Sequence, residues 1–383
     1  MKLIYIATSV IPAHKANAKQ VMKMGQAFQQ SGIEVELIIP VRFGRVRLKA
    51  DPFEYYGVKE KFKITKIFSF DLIPWEKQIG HLGFWLQNIS FVFFTAVYLL
   101  FKKYDLIYTR DDFSLFGLSF FTEKICWEAH NFPKKIRWFH RVLYKRVKQM
   151  VVISKGLKDA FVKQGISPEK ILVAPDGVDL NEFDLAMAPA EARKQLDLPL
   201  DKRLIGYVGS LRTRQEEKGV DGLIESMKFL ADNSLLVLVG GEKDDIDFYR
   251  QLSEQAGVTD RILFVGQVVP RLVPIYQRAF DVLIMPFPKL PHYEFCMSPL
   301  KLFEYLASER PIITTDLPSI REILSDREAV FVLPGRPKAL ADGIAKVLAD
   351  PTQALVMAKN GRQLAEQYTW QKRAKTIIDF IKI

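Results

Sequence analysis

The chain has 383 residues, room for two domains with a full core each, and at 49% hydrophobic and 26% charged residues it is not a disordered composition. Its two cysteines, Cys126 and Cys296, exclude a disulfide scaffold and a cysteine-rich zinc module. The formal charge of +11 sits in one half: residues 1–180 carry 28 basic and 16 acidic side chains, net +12, and residues 181–383 carry 27 and 28, net −1, so function must account for a basic half joined to a neutral one.

Met1 and Lys2 precede an apolar run, with Ala16-Asn17-Ala18 in the place of a signal-peptide cleavage site. The run reads better as a buried first strand over 3–7. A turn through Pro12 and a helix with Val21, Met24 and Phe28 on one face follow. Gly32 ends that helix, and 35–39 is the next strand. Residues 78–101 contain no Asp, Glu, Lys or Arg, a stretch long enough to cross a bilayer. A crossing there cuts the N-terminal domain in two, so the expectation is a buried or partly membrane-dipping helix. Strands at 106–109 and 150–154 complete a strand-helix-strand rhythm that predicts a parallel sheet.

Residues 174–199 are rich in Asp and Pro and lack a strong period, which predicts a linker. Apolar strands follow at 204–209, 235–239, 262–266, 282–286, 311–314 and 330–332, with an amphipathic helix at 220–230. Runs without alternation suit a sheet covered on both faces. The predicted fold is α/β, two Rossmann-like doubly wound domains at 1–180 and 200–363. A last helix over 364–383 is expected to cross back onto the N-terminal domain. Ligands of such sheets bind outside the carboxyl ends of the strands.

Two segments of the second half carry chemistry. In Ser298-Pro299-Leu300-Lys301-Leu302-Phe303-Glu304, Pro299 stands near a helix start, whose N–H groups attract phosphate. Lys301 and Glu304 are three apart and share a face. A carboxylate one turn inside repels phosphate and accepts ribose hydroxyls. Gly209-Ser210-Leu211, then Arg212, Arg214 and Lys218-Gly219, form a glycine turn and a basic loop before a helix. Val265-Gly266-Gln267-Val268 is a strand end suited to backbone contact with a base. Alone, each also reads as a surface ion pair or a solvated loop.

Residues 298–307, followed by Arg310-Pro311-Ile312-Ile313-Thr314-Thr315-Asp316-Leu317-Pro318, resemble the donor-site signature of the family 4 glycosyltransferases, retaining enzymes of the GT-B fold that use nucleotide sugars. The resemblance extends to 16–24, Leu106-Ile107-Tyr108-Thr109-Arg110, Glu128-Ala129-His130-Asn131 and Val173-Ala174-Pro175-Asp176-Gly177. It implies that Glu304 holds the nucleotide ribose and that Lys218 binds the diphosphate with Ser298, Pro299, Leu300 and Lys301, while the strand end at Val268 is left for the base by its own pattern. His130 matches the histidine near the reacting sugar. His14, Asn17 and Arg110 fall in the acceptor-side cleft loop. The family's first glutamate of the pair falls at Cys296, and Glu294 lies two residues earlier. The family's arginine falls at Ser210, so the second cation is sought at Arg212 or Arg214. Transfer is expected with retention, with no cofactor and no metal ion, the diphosphate being neutralised by cations of the chain. The donor is expected to be UDP-linked rather than GDP-linked. A nucleotide-sugar 2-epimerase and a non-catalytic sugar-binding or scaffold subunit are the other readings.

The basic half has its own pattern. Lys134, Lys135, Arg137, Arg141, Lys145, Arg146 and Lys148 fall within 15 residues without an acid, with Trp138, Phe139 and Leu143 between them. This predicts a basic amphipathic helix for an anionic membrane surface, supported by Lys102, Lys103, Arg42, Arg45, Arg47 and Lys49. No nucleic-acid recognition module is present. The expectation is a protein peripheral to the cytoplasmic face of a membrane, holding a glycan or lipid-linked acceptor in the N-terminal domain.

Overall fold

The computed structural model describes residues 1–42, 48–75, 78, 80–213 and 216–381. The chain divides into two units, Met1–Pro175 with Trp370–Ile383, and Asp176–Thr369. Arg45, Arg47 and Arg214 lie outside the described residues.

The first unit holds seven parallel strands, ordered β3-β2-β1-β4-β5-β6-β7. They are β1 (Lys2–Ile6), β2 (Glu34–Pro40), β3 (Lys63–Ile67), β4 (Leu106–Thr109), β5 (Ile125–Ala129), β6 (Gln149–Val152) and β7 (Ile171–Val173). The central strands β4 and β5 are buried along their whole length, which explains why they are apolar apart from Thr109 and Glu128. Helix α1 (Ala16–Gln30) buries its Val21, Met24 and Phe28 face as the spacing predicts.

Helix α2 (Leu82–Leu100) is not buried on all sides, the first of the two forms expected for it. Leu82, Leu86, Ile89, Phe93, Val97 and Leu100 are exposed, whereas Gln87, Asn88, Ser90 and Thr95 are buried. An uncharged run reads as interior because apolar surface avoids water, yet here Gln87, Asn88, Ser90 and Thr95 pack on the unit beside Phe91 and Leu99 while those six apolar side chains face outward. Helices α3 (Asp112–Leu118), α4 (Trp138–Arg146) and α5 (Lys155–Val162) complete the connections used below. Helix α4 is shorter than the basic stretch, so Lys134 and Lys135 precede it.

The second unit has a six-stranded parallel sheet, ordered β12-β11-β8-β13-β14-β15. These are β8 (Arg203–Val208), β11 (Ser234–Val239), β12 (Ile262–Gly266), β13 (Val282–Met285), β14 (Ile312–Thr315) and β15 (Val330–Val332). A two-stranded hairpin, β9 (Arg212–Thr213) and β10 (Glu216–Glu217), stands apart from that sheet. Successive side chains feed two cores. Leu204, Val237, Val239, Leu283 and Met285 enter one. Ile205, Tyr207, Leu236, Leu238, Val282 and Ile284 enter the other. Covered on both faces, the strands need no polar alternation.

The segment read as a linker is structured. Leu180–Phe183 and Pro189–Gln195 are helices, and Val178, Phe183, Ala192 and Leu198 belong to the core of the second unit. The division therefore falls at Pro175 rather than 180. Short helices opened by Asp179 and Pro189 are too brief to show a period. In the second unit, α6 (Val220–Ser226), α7 (Lys243–Ala256) and α8 (Leu300–Ala307) bear on the site. The last helix, α9 (Trp370–Ile381), packs against α1 in the first unit and buries Ala374, Ile377 and Ile378 there.

Candidate functional site

In the second unit the donor-signature residues gather where β8 ends. Gly209 follows the strand at φ 136°, a region that L side chains rarely adopt. A Cβ there would lie 3.1 Å from the Lys301 Nζ, so the glycine leaves room for that amine. Lys301 stands in the first turn of α8, after the N-cap Pro299. Its amine is buried, has no hydrogen-bond partner among the described residues, and lies 3.6 Å from the Tyr207 ring centroid and 5.6 Å from that of Phe287. Burial pushes its pKa well down, Lys218 as a like charge adds to this, and Glu304 opposes it. The Tyr305 hydroxyl accepts the Val208 N–H at 2.8 Å and ties α8 to the end of β8.

Lys218 leads into α6, whose N-cap Gly219 has φ 79°. A Cβ on Gly219 would fall 1.7 Å from the Pro286 carbonyl oxygen, so the turn admits only glycine. The Lys218 amine donates to Ser210 Oγ at 2.6 Å. Burial lowers its pKa to about 8. An amine that binds phosphate must be protonated, so nucleoside-diphosphate affinity is expected to fall as pH rises through about 8. Calorimetric titration from about pH 7 to about pH 9 reads this as a loss of about tenfold.

Arg212 already has partners within the second unit. Its Nε donates to Asp245 Oδ1 of α7 at 2.8 Å, and its guanidinium stacks 4.5 Å from the Phe248 ring centroid. Ser298 is buried and accepts the Asp176 N–H at 2.9 Å, so it holds the loop before α8. Glu294 lies 3.9 Å from Lys289 in the short helix Pro291–Phe295, and Cys296 follows it as the C-cap. Leu300 opens α8, Glu304 is half-buried, and Val268, beyond Gly266, packs against the sheet core.

In the first unit the network centres on Glu128. It is fully buried at the end of β5. Its Oε1 accepts from His130 Nε2 at 2.9 Å, Gln20 Nε2 at 2.9 Å and Arg373 Nη2 at 2.6 Å. Burial pushes the carboxyl up, but Arg373, His130 and Arg110 outweigh it and hold the group well below the usual range. An ionised carboxylate only accepts, so His130 carries its proton on Nε2. Arg110 donates to Gln20 Oε1 at 2.6 Å and to the Asn17 carbonyl at 3.1 Å. Asn17, Arg110 and His130 thus join one network through Gln20. His14 instead meets the Tyr55 hydroxyl through Nδ1 at 2.7 Å. Sequence reasoning missed Gln20, Glu128 and Arg373 as site residues. The available signal was an acid inside the apolar strand run Ile125-Cys126-Trp127-Glu128-Ala129.

Two family models match, Glycosyltransferase Family 4 over residues 18–182 and Glycosyl transferases group 1 over 189–364. The chain belongs to the family 4 glycosyltransferases. Its two parallel-sheet units are those of the GT-B fold. It is 26% identical over 242 residues to an uncharacterized glycosyltransferase of Methanocaldococcus jannaschii, covering 61% of this chain and 60% of that one. It is 30% identical over 224 residues to a D-inositol 3-phosphate glycosyltransferase of Xylanimonas cellulosilytica, covering 56% and 52%. The match thus spans little more than half of the length of these relatives. Among solved structures, Anabaena HepE in complex with UDP and glucose aligns with TM-score 0.77 at 17% identity, covering 100% of this chain and 99% of the other.

The basic residues of α4 divide. Arg137 is the N-cap, Trp138 is 72% exposed, and Arg141 and Lys145 are exposed. Arg146 turns to the Ser119 carbonyl at 2.6 Å and stacks 4.3 Å from the Phe120 ring centroid. Arg42 also turns inward, donating to the Thr8 carbonyl at 3.0 Å and lying 3.6 Å from the buried Asp71.

Proposed function

We propose that the chain transfers a sugar from a nucleoside-diphosphate sugar to a glycan or lipid-linked acceptor, with retention of configuration and without a metal ion or cofactor. The observation that carries this is the buried, unpartnered Lys301 amine beneath Gly209, with Lys218 as its neighbour. A buried amine with no hydrogen-bond partner is costly unless an anion completes it. Departure of the diphosphate develops negative charge. The two amines and the N-terminus of α8 supply positive potential for it. The half-buried Glu304, one turn into the same helix, suits ribose hydroxyls.

In the first unit the His130 imidazole, held by Glu128, offers a hydrogen bond to the transferring sugar, with Arg110, Asn17 and His14 on the acceptor side. A UDP-linked donor is favoured over a GDP-linked one, and the complex of the Anabaena neighbour with UDP and glucose supports that choice. The exposed Arg137, Trp138, Arg141 and Lys145 suit work on the anionic cytoplasmic face of a membrane.

The test is release of free nucleoside diphosphate from a panel of nucleotide sugars, with and without extracted glycolipids. Release that requires the acceptor, and that falls at least tenfold in His130→Ala, supports the reading. Isomerised nucleotide sugar without acceptor points to a 2-epimerase. No turnover with any donor points to a non-catalytic subunit.

A further inference from the structure

Helix α2 is amphipathic in the reverse sense for a helix in water. Its inward face carries Gln87, Asn88, Ser90 and Thr95 together with Phe91 and Leu99, and its outward face carries Leu82, Leu86, Ile89, Phe93, Val97 and Leu100. The outward positions recur at helical spacing along the whole helix, about 28 Å at 1.5 Å per residue. Ile89 and Phe93, at its middle, are 62% and 60% exposed. No charged residue interrupts residues 78–101.

The apolar surface continues beyond the helix. Phe84 meets Phe113 of α3 at 5.6 Å between ring centroids, and Phe116 meets both Trp138 at 6.0 Å and Phe120 at 5.3 Å. Phe101, Phe121 and Trp138 are each more than 70% exposed. An apolar surface of this extent marks an interaction site.

Cations border it. Lys102 and Lys103 follow the C-terminus of α2, and with Lys2, Lys124 and one acid, Asp105, they line a cavity of about 450 Å³. Arg141 and Lys145 are exposed on α4. A second copy of the chain would bring another basic surface against this one, residues 1–180 having a net charge of +12. An anionic bilayer supplies both an apolar phase for the rings and negative charge for the rim.

We propose that α2 lies in the interface of an anionic phospholipid bilayer, its Leu82-to-Leu100 face buried in acyl chains and the lysine-lined cavity beside its C-terminus receiving headgroup phosphate. The helix lies along the membrane plane and does not span it, since its inward face packs on its own unit, against α3 and the edge strand β3. This deepens the membrane-facing reading of the first unit and is independent of the donor.

The experiment is co-sedimentation of the full chain with vesicles of phosphatidylglycerol and phosphatidylcholine, and with phosphatidylcholine alone. The parent is expected to bind the anionic vesicles. Ile89→Asp/Phe93→Asp is expected to lower the bound fraction at least tenfold with an unchanged melting temperature, since both side chains are exposed. A parent that stays in the supernatant overturns the proposal, and so does a double variant that binds as the parent does. A parent that is a dimer, dissociated by the same double variant and unbound to vesicles, assigns the face to a second copy instead. Arg141→Glu/Lys145→Glu tests α4 separately. If those changes abolish binding and the α2 changes do not, α4 alone faces the membrane and the proposal for α2 falls.

Discussion

Arg373→Ala is expected to lower stability by about 3–5 kcal/mol, the cost of leaving a buried charge without its partner. The guanidinium and the Glu128 carboxylate are almost fully buried and 2.6 Å apart. Arg373 also donates from Nε to the Pro175 carbonyl at 2.8 Å and to that of Ala174 at 3.2 Å. The change removes all three contacts and strands the carboxylate in the core of the first unit. Glu128→Gln/Arg373→Met is expected to recover much of the loss, because a neutral pair of similar volume leaves no buried charge.

The pH dependence has a definite sign. The Glu128 carboxyl is held below its ordinary range in the folded chain. Its contribution is therefore present above the ordinary carboxylate pKa and is lost as pH falls through the folded one. In Arg373→Ala that depression weakens. The stability gap between parent and variant should be widest near neutrality and narrow in acid. Urea unfolding at two pH values measures it. An equal gap at both would show that Arg373 acts by packing alone.

Lys301→Met is expected to act in opposite directions on stability and binding. Removing an amine that has no hydrogen-bond partner should raise stability by about 1–3 kcal/mol. It should also cut nucleoside-diphosphate affinity at least tenfold, since charge-assisted contacts to phosphate are the strong ones. Because burial lowers the Lys301 pKa, the unfolded chain binds more protons than the folded one between the folded and ordinary values. Parent stability rises with pH across that window, and the variant lacks this rise. The advantage of the variant should therefore shrink as the solution becomes alkaline. Thermal unfolding and calorimetry read the two effects. A variant that is more stable and still binds the diphosphate as the parent does would remove Lys301 from the site.

Most of the fold was legible because a sheet covered on both faces writes itself as continuous apolar strands, as in Leu235 to Val239. Residues 176–199 were not, because their helices are a turn or two long. Helix α2 was legible as a helix and illegible as a surface. Composition shows that 78–101 are apolar, and only packing shows which face meets the protein. Spacing put Lys218, Arg212 and the α8 motif forward as candidates. It did not distinguish Arg212, which stacks on Phe248, from Lys301, which lies beneath Gly209. Arg373 was beyond reach, since it meets Glu128 across 245 residues of chain.

The most direct test of the central claim is calorimetric titration of the full chain with UDP, with a chelator present throughout. Saturable binding near one site per chain, weakened at least tenfold in Lys301→Met and Lys218→Ala, is the expected result. A parent that binds neither UDP nor GDP would contradict it.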